Sequence, residues 1–272
     1  MTNAAPREVP KHEWQHTVQT VVDGVYRIQL NRPEKYNAFS SIMYAEVKRG
    51  VIMAGVMRDV YALVIEGVPG AFATGGDLGE FLGILELPEA EFLAEYTARF
   101  DEPVPFRAIL ECPKPIIAKV DGLCLAGGLL VASTSDVVIA TPRSRFGVPE
   151  AKVGLADPYC SSILPLSIGL GRARYLMITA DMIEAQTAYE WGIVHKVVEE
   201  AELENAVQDM LRRLKRTSPE SRRAYKQGAN RAVPHMSVEA VLRPVMSANG
   251  REGLRAFVEK RNPDWSQTSS LI

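Results

Sequence analysis

The sequence lacks the residue patterns that mark several common kinds of functional site. Its three cysteines, Cys112, Cys124 and Cys160, form no C-x-x-C pair. We therefore expect reduced thiols in a cytosolic protein. The four histidines are isolated from one another and from the cysteines, so no metal site is expected. Glycine-rich fingerprints of the Walker or dinucleotide-binding type are also missing.

Strong charge of one sign and long apolar segments are missing as well. The 272 residues carry a net charge of −2, which does not suggest a nucleic-acid partner. The longest uncharged apolar stretch, Gly122 to Ala132, is too short to span a bilayer. Residues 1–15 are predicted to form a polar tail, because they contain no apolar segment of the signal-peptide kind. These absences favour a cytoplasmic protein with no membrane partner.

The first half of the chain alternates between apolar strand patterns and helical patterns. Thr17–Val22 and Val25–Leu30 flank Asp23–Gly24, which is a signal for a tight hairpin. Ser40 suits the N-cap of a helix that runs to about Met57. Further strands are predicted at Tyr61–Glu66, Pro115–Val120 and Asp136–Ala140. This alternation favours an α/β core with largely parallel strands.

The second half of the chain is predicted to be mainly helical. After Asp157 the only strand pattern is His195–Val198. Helices are predicted over 202–216, 219–232 and 237–259, and also over 77–111 with breaks at Pro88 and at 103–105. We therefore expect an α/β core over residues 16–200, followed by a helical C-terminal region over 201–272.

Two glycine pairs stand where a strand pattern changes into a helical one. They are Gly75–Gly76, before Asp77, and Gly127–Gly128, after Ala126. Such turns leave backbone N–H groups free at a helix start, with no side chain in the way. Two of these turns could direct two N–H donors at one oxygen, an arrangement that stabilises an enolate or another oxyanion. The alternative is that both are tight turns needed only for packing.

Short motifs follow one another along most of the chain in a specific order and spacing. They are Leu30–Pro33, Asn37–Ala38, Phe72–Asp77, Lys114–Ala118, Asp121–Gly122, Ala126–Gly128, Ser135–Asp136, Phe146–Glu150, Val153–Leu155, Gly192–Val194, Glu252–Gly253 and Phe257–Arg261. From about Val18 to Arg261 the chain thus resembles the crotonase superfamily, the enoyl-CoA hydratase/isomerase group. The resemblance implies a spiral of ββα units, acyl-CoA thioester substrates and a homotrimer or hexamer. It implies no separate cofactor, because coenzyme A is part of the substrate.

The resemblance also gives roles to individual residues. Gly76 and Gly127 align with the two oxyanion-hole amides of the family. Glu150 aligns with the acid that its hydratases and several of its isomerases share, and such an acid can move a proton beside an enolate. Burial beside a thioester would raise the pKa of this carboxyl group and suit it to that work. Without the family context, a glutamate in a loop is usually a solvated surface residue.

Leu130 departs from the pattern of typical hydratases. They carry a second glutamate at this position, and the glutamate pair positions a water molecule, which leucine can neither hold nor activate. The local sequence is more similar to Δ3,Δ2-enoyl-CoA isomerases, which work with one acid. The alternative is that Leu130 only packs in the core. The two explanations are compatible, because a dry pocket helps a single base to shuttle a proton.

The resemblance therefore favours isomerisation of an enoyl-CoA in fatty acid metabolism, with Glu150 as the single proton carrier. A hydratase or another lyase of the family is the first alternative, and a non-catalytic acyl-CoA-binding protein is the second. Asp157 is a possible auxiliary acid, because some dienoyl-CoA isomerases carry an extra carboxylate one position later. With Pro158 at the first helical position, Asp157 also suits a helix N-cap, and we favour that structural role.

For coenzyme A itself, the resemblance points to a set of residues far apart in the sequence. They are Lys35, Tyr36, Thr74, Phe257 and Lys260. In the family the last two are often donated by a neighbouring subunit, where a lysine meets phosphate and an aromatic ring covers adenine. The alternative for these two is a solvated end of an amphipathic helix. Gly79 replaces a lysine that some relatives use on the phosphates, so the charge contacts to coenzyme A are expected to be redistributed.

Overall fold

The computed structural model describes residues 7–8, 14–85, 87–233 and 247–265. The strands are β1 Arg7–Glu8, β2 Thr17–Val22, β3 Val25–Leu30, β4 Ala62–Glu66, β5 Ala71–Ala73, β6 Ile116–Val120, β7 Leu123–Leu125, β8 Val137–Ala140, β9 Arg145–Gly147, β10 Met182–Glu184 and β11 Lys196–Val197. The helices are α1 Ser41–Val56, α2 Leu78–Leu85, α3 Glu89–Tyr96, α4 Phe106–Glu111, α5 Gly127–Thr134, α6 Pro158–Ile168, α7 Leu170–Thr179, α8 Ala185–Trp191, α9 Leu203–Lys215, α10 Pro219–Ala229 and α11 Ala248–Val258.

The larger sheet in the described part of the chain has the strand order β1-β2-β3-β4-β6-β8-β11. The β2–β3 hairpin turns at Asp23 and Gly24, whose φ angles of 50° and 77° suit the tight turn that this pair predicts. From β3 onward each neighbouring pair is parallel. The predicted hairpin and the predicted parallel α/β core are therefore confirmed.

Helices cover both faces of the central part of this sheet, which explains why β4, β6 and β8 are almost continuously apolar. Along β4, Leu63 and Ile65 join the main core, whereas Ala62 and Val64 pack against α9 on the other face. Ser40 caps α1 by accepting a hydrogen bond from the Met43 amide, as its position in the sequence predicts. Among the described residues, none of the helices combines the length and apolar character that crossing a bilayer requires.

A second, smaller sheet has the order β10-β9-β7-β5. Strands β5, β7 and β9 are parallel, and β10 is antiparallel to β9. The expectation that His195–Val198 holds the only strand after Asp157 is wrong, because β10 also lies there. Strands of three residues are too short to show a period-two pattern, and in β10 only Ile183 is buried.

The C-terminal helix α11 packs against the segment that follows β9. A Cβ atom added at Gly253 would lie 2.2 Å from the Val153 carbonyl oxygen, so the two backbones touch. Leu254 joins an apolar cluster with side chains of α2 and α3, among them Phe81 and Tyr96. The predicted helices at 202–216 and 219–232 correspond to α9 and to α10 with one 3-10 turn. For the helix predicted over 237–259, residues 237–246 lie outside the described residues.

Candidate active site

Three neighbouring strands of the smaller sheet end at the predicted site. Since β5, β7 and β9 run parallel, their carboxyl ends lie at one edge of the sheet. The chain leaves these strands toward Gly76, Gly127 and Glu150, respectively. The carboxyl edge of parallel strands is where α/β proteins usually place their ligands. The sheet thus gathers three predicted residues that are far apart in the sequence.

The two glycine turns touch each other. A Cβ atom added at Gly75 would lie 2.4 Å from the Cβ of Ala126 and 3.7 Å from the Gly127 nitrogen. Gly75 has a φ angle of +98°, and Ala126 has one of +52°, in the region that favours glycine. The close approach explains why Gly75 lacks a side chain, and it brings the two loops to one place.

The amides of Gly76 and Gly127 have no acceptor among the hydrogen bonds of the described residues. Beside Gly76, the Phe39 amide donates to the Gly75 oxygen at 2.7 Å, and the Asp77 amide donates to the Phe39 oxygen at 2.8 Å. These two hydrogen bonds involve the residues on either side of Gly76, and they leave the Gly76 amide without an acceptor among the described residues. Gly127 is the first residue of α5, where no intrahelical acceptor exists. Two neighbouring turns therefore each offer a free N–H group.

Glu150 lies in the short 3-10 helix Pro149–Val153 that follows β9. Its Oε2 atom is buried and has no hydrogen-bond partner among the described residues. Burial raises the pKa of this carboxyl group, and the negative charge of Asp157 raises it further. Glu150 is thus partly buried with an enclosed carboxyl oxygen, and it retains its proton to a higher pH than a surface glutamate does.

Asp157 caps α6 and also lies beside Glu150. Its Oδ1 accepts hydrogen bonds from the amides of Tyr159 at 2.7 Å and Cys160 at 3.1 Å, which is the N-cap geometry expected from the sequence. Burial raises the pKa of Asp157, whereas the hydrogen bonds from these two N–H groups lower it and offset part of that rise. Because the amide donors favour its charged form, Asp157 loses a proton more readily than Glu150 does.

Three groups here could in principle ligate a metal ion. Ligand atoms of Glu150, Asp157 and Cys160 all lie within 4.8 Å of one another, a cluster that their spacing in the sequence does not reveal. Burial raises the pKa of all three groups. Metal ligands must be deprotonated, so this environment suits the holding of protons better than the holding of a cation.

Leu130 and Tyr44 lie near the Gly127 turn. Leu130 is fully buried in the main core on α5, so the core-packing explanation of this residue holds. Tyr44, on α1, approaches so closely that its hydroxyl oxygen would lie 2.2 Å from a Cβ atom added at Gly127. Sequence reasoning missed Tyr44, because the helical pattern indicates a buried position but not where its hydroxyl points.

The residues predicted to bind coenzyme A fall into two groups. Thr74 donates from Oγ1 to the Tyr36 carbonyl oxygen at 3.3 Å, next to the exposed Lys35. Phe257 and Lys260 are exposed at the C-terminal end of α11. In the part of the chain that the structure describes, no hydrogen bond or ion pair joins these two residues to the first group. The structure thus brings together Lys35, Tyr36 and Thr74, but not the other two.

Comparisons with known proteins agree with this fold. The model of the family described as Enoyl-CoA hydratase/isomerase matches residues 20–268. A mevalonyl-coenzyme A hydratase of Aspergillus fumigatus is 32% identical over 88% of this chain and 90% of its own length. A trans-2-decenoyl-[acyl-carrier-protein] isomerase of Streptococcus mutans is 29% identical over 93% and 99%. The crystal structure of an enoyl-CoA hydratase/isomerase from Xanthobacter autotrophicus superimposes with a TM-score of 0.77 at 28% identity, covering 91% of this chain and 97% of that one.

Proposed function

This chain belongs to the enoyl-CoA hydratase/isomerase family, and from that membership we propose that it is an enzyme that shifts the double bond of an enoyl-CoA thioester. The observation that carries the proposal is the common edge of β5, β7 and β9. From that edge the chain leads to two free amides and one enclosed acid. Coenzyme A is part of the substrate in this proposal, and no further cofactor takes part.

The amides of Gly76 and Gly127 are proposed to hold the thioester oxygen. When a proton leaves C2 of a 3-enoyl-CoA, the electron pair of the broken C–H bond moves into the thioester, and its oxygen gains negative charge. Two fixed N–H donors stabilise that charge without having to reorganise during the reaction. Loss of one such donor costs about 3 kcal/mol in comparable sites.

Glu150 is proposed to carry the proton from C2 to C4. Its carboxylate takes the C2 proton, a dienolate forms, and the carboxyl group returns the proton to C4, which leaves a double bond between C2 and C3. The enclosed position of Oε2 and the raised pKa of the carboxyl group suit this work, since an effective acid–base group titrates near the operating pH. Leu130 is buried in the main core on α5 and brings no second acid to the site, which fits a reaction with a single proton carrier.

Hydration of a 2-enoyl-CoA is the second candidate, and the position of Asp157 favours it. Asp157 places a second carboxyl group beside Glu150, although typical hydratases carry theirs at the position of Leu130. Two acids in contact can position and activate a water molecule. One relative is named as a hydratase and another as an isomerase, which is consistent with either reaction.

At the opposite end of the substrate, Lys35, Tyr36 and Thr74 are proposed to contact coenzyme A, with Lys260 and Phe257 nearby in the assembled enzyme. The support is their exposure, combined with a lysine and an aromatic ring in each group. Ammonium groups attract phosphates, and an aromatic face covers an adenine ring.

One pair of assays tests the reaction. The enzyme is incubated with a 3-enoyl-CoA and, separately, with the 2-enoyl-CoA of equal chain length, while the absorbance of the conjugated thioester is followed. We expect the absorbance to rise with the first substrate. A fall with the second substrate and no rise with the first would instead identify a hydratase. A protein that changes neither signal, yet is stabilised against heat by acyl-CoA, would be a binding protein.

A further inference from the structure

A network of polar contacts surrounds the turn that carries Gly76. Phe39 bonds the residues on either side of this glycine and forms an isolated parallel β-bridge with Gly76 itself. The side chain of the next residue, Asp77, meets Arg32, whose Nη2 donates to Asp77 Oδ2 at 2.9 Å. The position of the Gly76 amide therefore depends on residues 32–39, which are far from it in the sequence.

The guanidinium group of Arg32 joins these two segments. Its Nη1 donates to the Ala38 carbonyl oxygen at 2.6 Å, while its Nη2 holds Asp77. Asp77 Oδ1 in turn accepts a hydrogen bond from the Gly79 amide at 2.9 Å, at the start of α2. A planar guanidinium offers several donors in fixed directions, so one side chain can bond both segments at once.

Arg32 is itself held in place by Asn37. The Oδ1 atom of Asn37 accepts a hydrogen bond from the Arg32 amide at 2.8 Å. Its Nδ2 atom donates to the carbonyl oxygens of Ala71 at 3.0 Å and Phe72 at 3.1 Å, both in β5, the strand that leads to Gly76. Asn37 is fully buried, and its φ angle of 54° lies in the left-handed region, where asparagine is enriched. The main chain and the side chain of Arg32 are thus both tied to the segment that presents the Gly76 amide.

The ion pair of Arg32 with Asp77 is largely shielded from water. The two side chains are 11% and 12% exposed. A second pair of similar burial joins Arg27 on β3 to Glu66 on β4 at 3.1 Å, with side chains 19% and 15% exposed. Arg27 also bonds Glu204 on α9, so this second pair braces the larger sheet against a helix. Only the first pair adjoins a residue of the proposed site.

We propose that Arg32 is a positioning residue, which directs the Gly76 amide toward the thioester oxygen through its bonds to Ala38 and Asp77. The inference rests on the proposed function in one respect, because it takes the Gly76 amide as a donor to that oxygen. Misplacement of a catalytic group by about 1 Å can lower a rate about 10²-fold. Loss of the guanidinium would free the turn on its Asp77 side and weaken the donor without removing it.

The carbonyl stretch of a bound thioester measures the effect of the amide, whether or not a double bond moves. Butyryl-CoA labelled with carbon-13 at its thioester carbonyl is bound at saturation, and isotope-edited infrared spectra are recorded. Directed N–H donors draw electrons toward the oxygen and lower the stretching frequency relative to free butyryl-CoA. The wild type should show this shift, and Arg32→Gln should lose part of it.

The kinetics of isomerisation give a second measurement. Arg32→Gln and Asp77→Asn break the pair from opposite sides and should each lower kcat about 10- to 100-fold. KM should change little, because the donor matters most once charge develops on the oxygen. Arg32→Lys keeps the charge but not the planar fork, so its kcat should lie between those of Arg32→Gln and the wild type. In the double variant the two losses should not add, since both act through one contact.

Arg27→Gln is the matched control, because it removes a guanidinium of similar burial from the second pair. It should leave kcat and the carbonyl stretch unchanged, even where it lowers the midpoint of thermal unfolding as much as Arg32→Gln does. The same midpoint checks that each variant folds. Should Arg32→Gln fail to fold, Asp77→Asn carries both measurements, since asparagine has the size of the side chain that it replaces.

A wild-type carbonyl shift that persists in the folded Arg32 and Asp77 variants would overturn the inference, as would an equal fall of kcat in Arg27→Gln. Isomerisation together with such a persistent shift would leave the proposed function standing. A shift that is lost in Arg32→Gln, in an enzyme that does not isomerise 3-enoyl-CoA, would instead remove the proposed reaction and support the inference. A bound thioester with no shift in the wild type would overturn both.

Discussion

The two ends of the proposed site differ in how their residues are held. At the acyl end, the Oε2 atom of Glu150 is enclosed, and Tyr44 is a largely buried residue. At the coenzyme A end, Lys35, Tyr36 and Lys260 stand in solvent with few contacts. Charges interact strongly in an enclosed site and are screened by water and salt at a surface. Substitutions should therefore have large effects at the first end and small, salt-dependent effects at the second.

The largest effect is expected for Glu150→Gln. Glutamine keeps the size of the side chain but can neither take nor return a proton, so kcat should fall by about 10²- to 10⁴-fold. The rise in conjugated-thioester absorbance measures the rate. Glu111→Gln is the control, because Glu111 is exposed and pairs with Arg107 on its own helix, away from the proposed site. Activity of the Glu150 variant near that of the control would remove Glu150 from its role.

Gly127→Ala is expected to disturb both the amide and the fold at the acyl end. The new Cβ would lie 2.2 Å from the Tyr44 hydroxyl, and crowding of this kind costs about 1–3 kcal/mol in a packed core. Denaturant unfolding measures the loss, and kcat should fall because the amide moves. Gly83→Ala is the matched control, since nothing lies within 4 Å of its added Cβ.

A second variant identifies the cause of that loss. In Gly127→Ala/Tyr44→Phe the hydroxyl is gone, and the next ring atom, Cζ, would lie 3.4 Å from the new Cβ. Much of the stability should return. A double variant as unstable as Gly127→Ala would show that the tyrosine hydroxyl is not what crowds this position.

A smaller change is expected for Asp157→Asn. Asparagine retains the N-cap oxygen but removes the charge that raises the pKa of Glu150, so the Glu150 pKa should fall. Catalysis needs the Glu150 carboxylate to take the first proton, and the acid limb of the kcat–pH profile should therefore move to lower pH. An unmoved acid limb in a folded variant would mean that the two carboxyl groups do not interact.

The smallest effects are expected at the coenzyme A end. Lys35→Ala and Lys260→Ala should each raise KM by less than about 10-fold, leave kcat unchanged and lose their effect at high salt, as exposed charge contacts do. Arg107→Ala is a control at an exposed site that the proposal does not use. A large fall in kcat in either lysine variant would break the contrast between the two ends.

The sequence predicted those features that depend on local patterns. The β2–β3 hairpin, the Ser40 cap of α1 and the strand predicted at Tyr61–Glu66, which is observed at Ala62–Glu66, follow from turn residues, capping chemistry and apolar runs. The candidate site residues were predicted from an ordered series of motifs, since glycine turns and a loop glutamate alone indicate little. Strands β7, β9 and β10 left no pattern, because three residues cannot show a period.

Other features depend on contacts between distant segments and could not be predicted. The cap role of Asp157 is local, but its contact with Glu150 requires the turn between them to fold back. Tyr44 reaches Gly127 only because α1 packs against β2, β3 and α4 in the folded chain. The helical pattern of α1 would be the same with any large apolar side chain at position 44. Burial can be predicted from periodicity, whereas the partner of a buried hydroxyl cannot.

Movement of deuterium from C2 to C4 of a bound thioester tests most directly whether the enclosed end forms an enolate with Glu150 as the proton carrier. A 3-enoyl-CoA that carries deuterium at C2 is incubated with the enzyme in H₂O, and the deuterium at C2 and C4 is followed by NMR. The wild type should remove deuterium from C2 and deliver part of it to C4, and Glu150→Gln should bind the thioester without doing so. A wild type that binds the thioester and leaves all of the deuterium on C2, or a Glu150→Gln variant that moves it at the wild-type rate, would contradict the account.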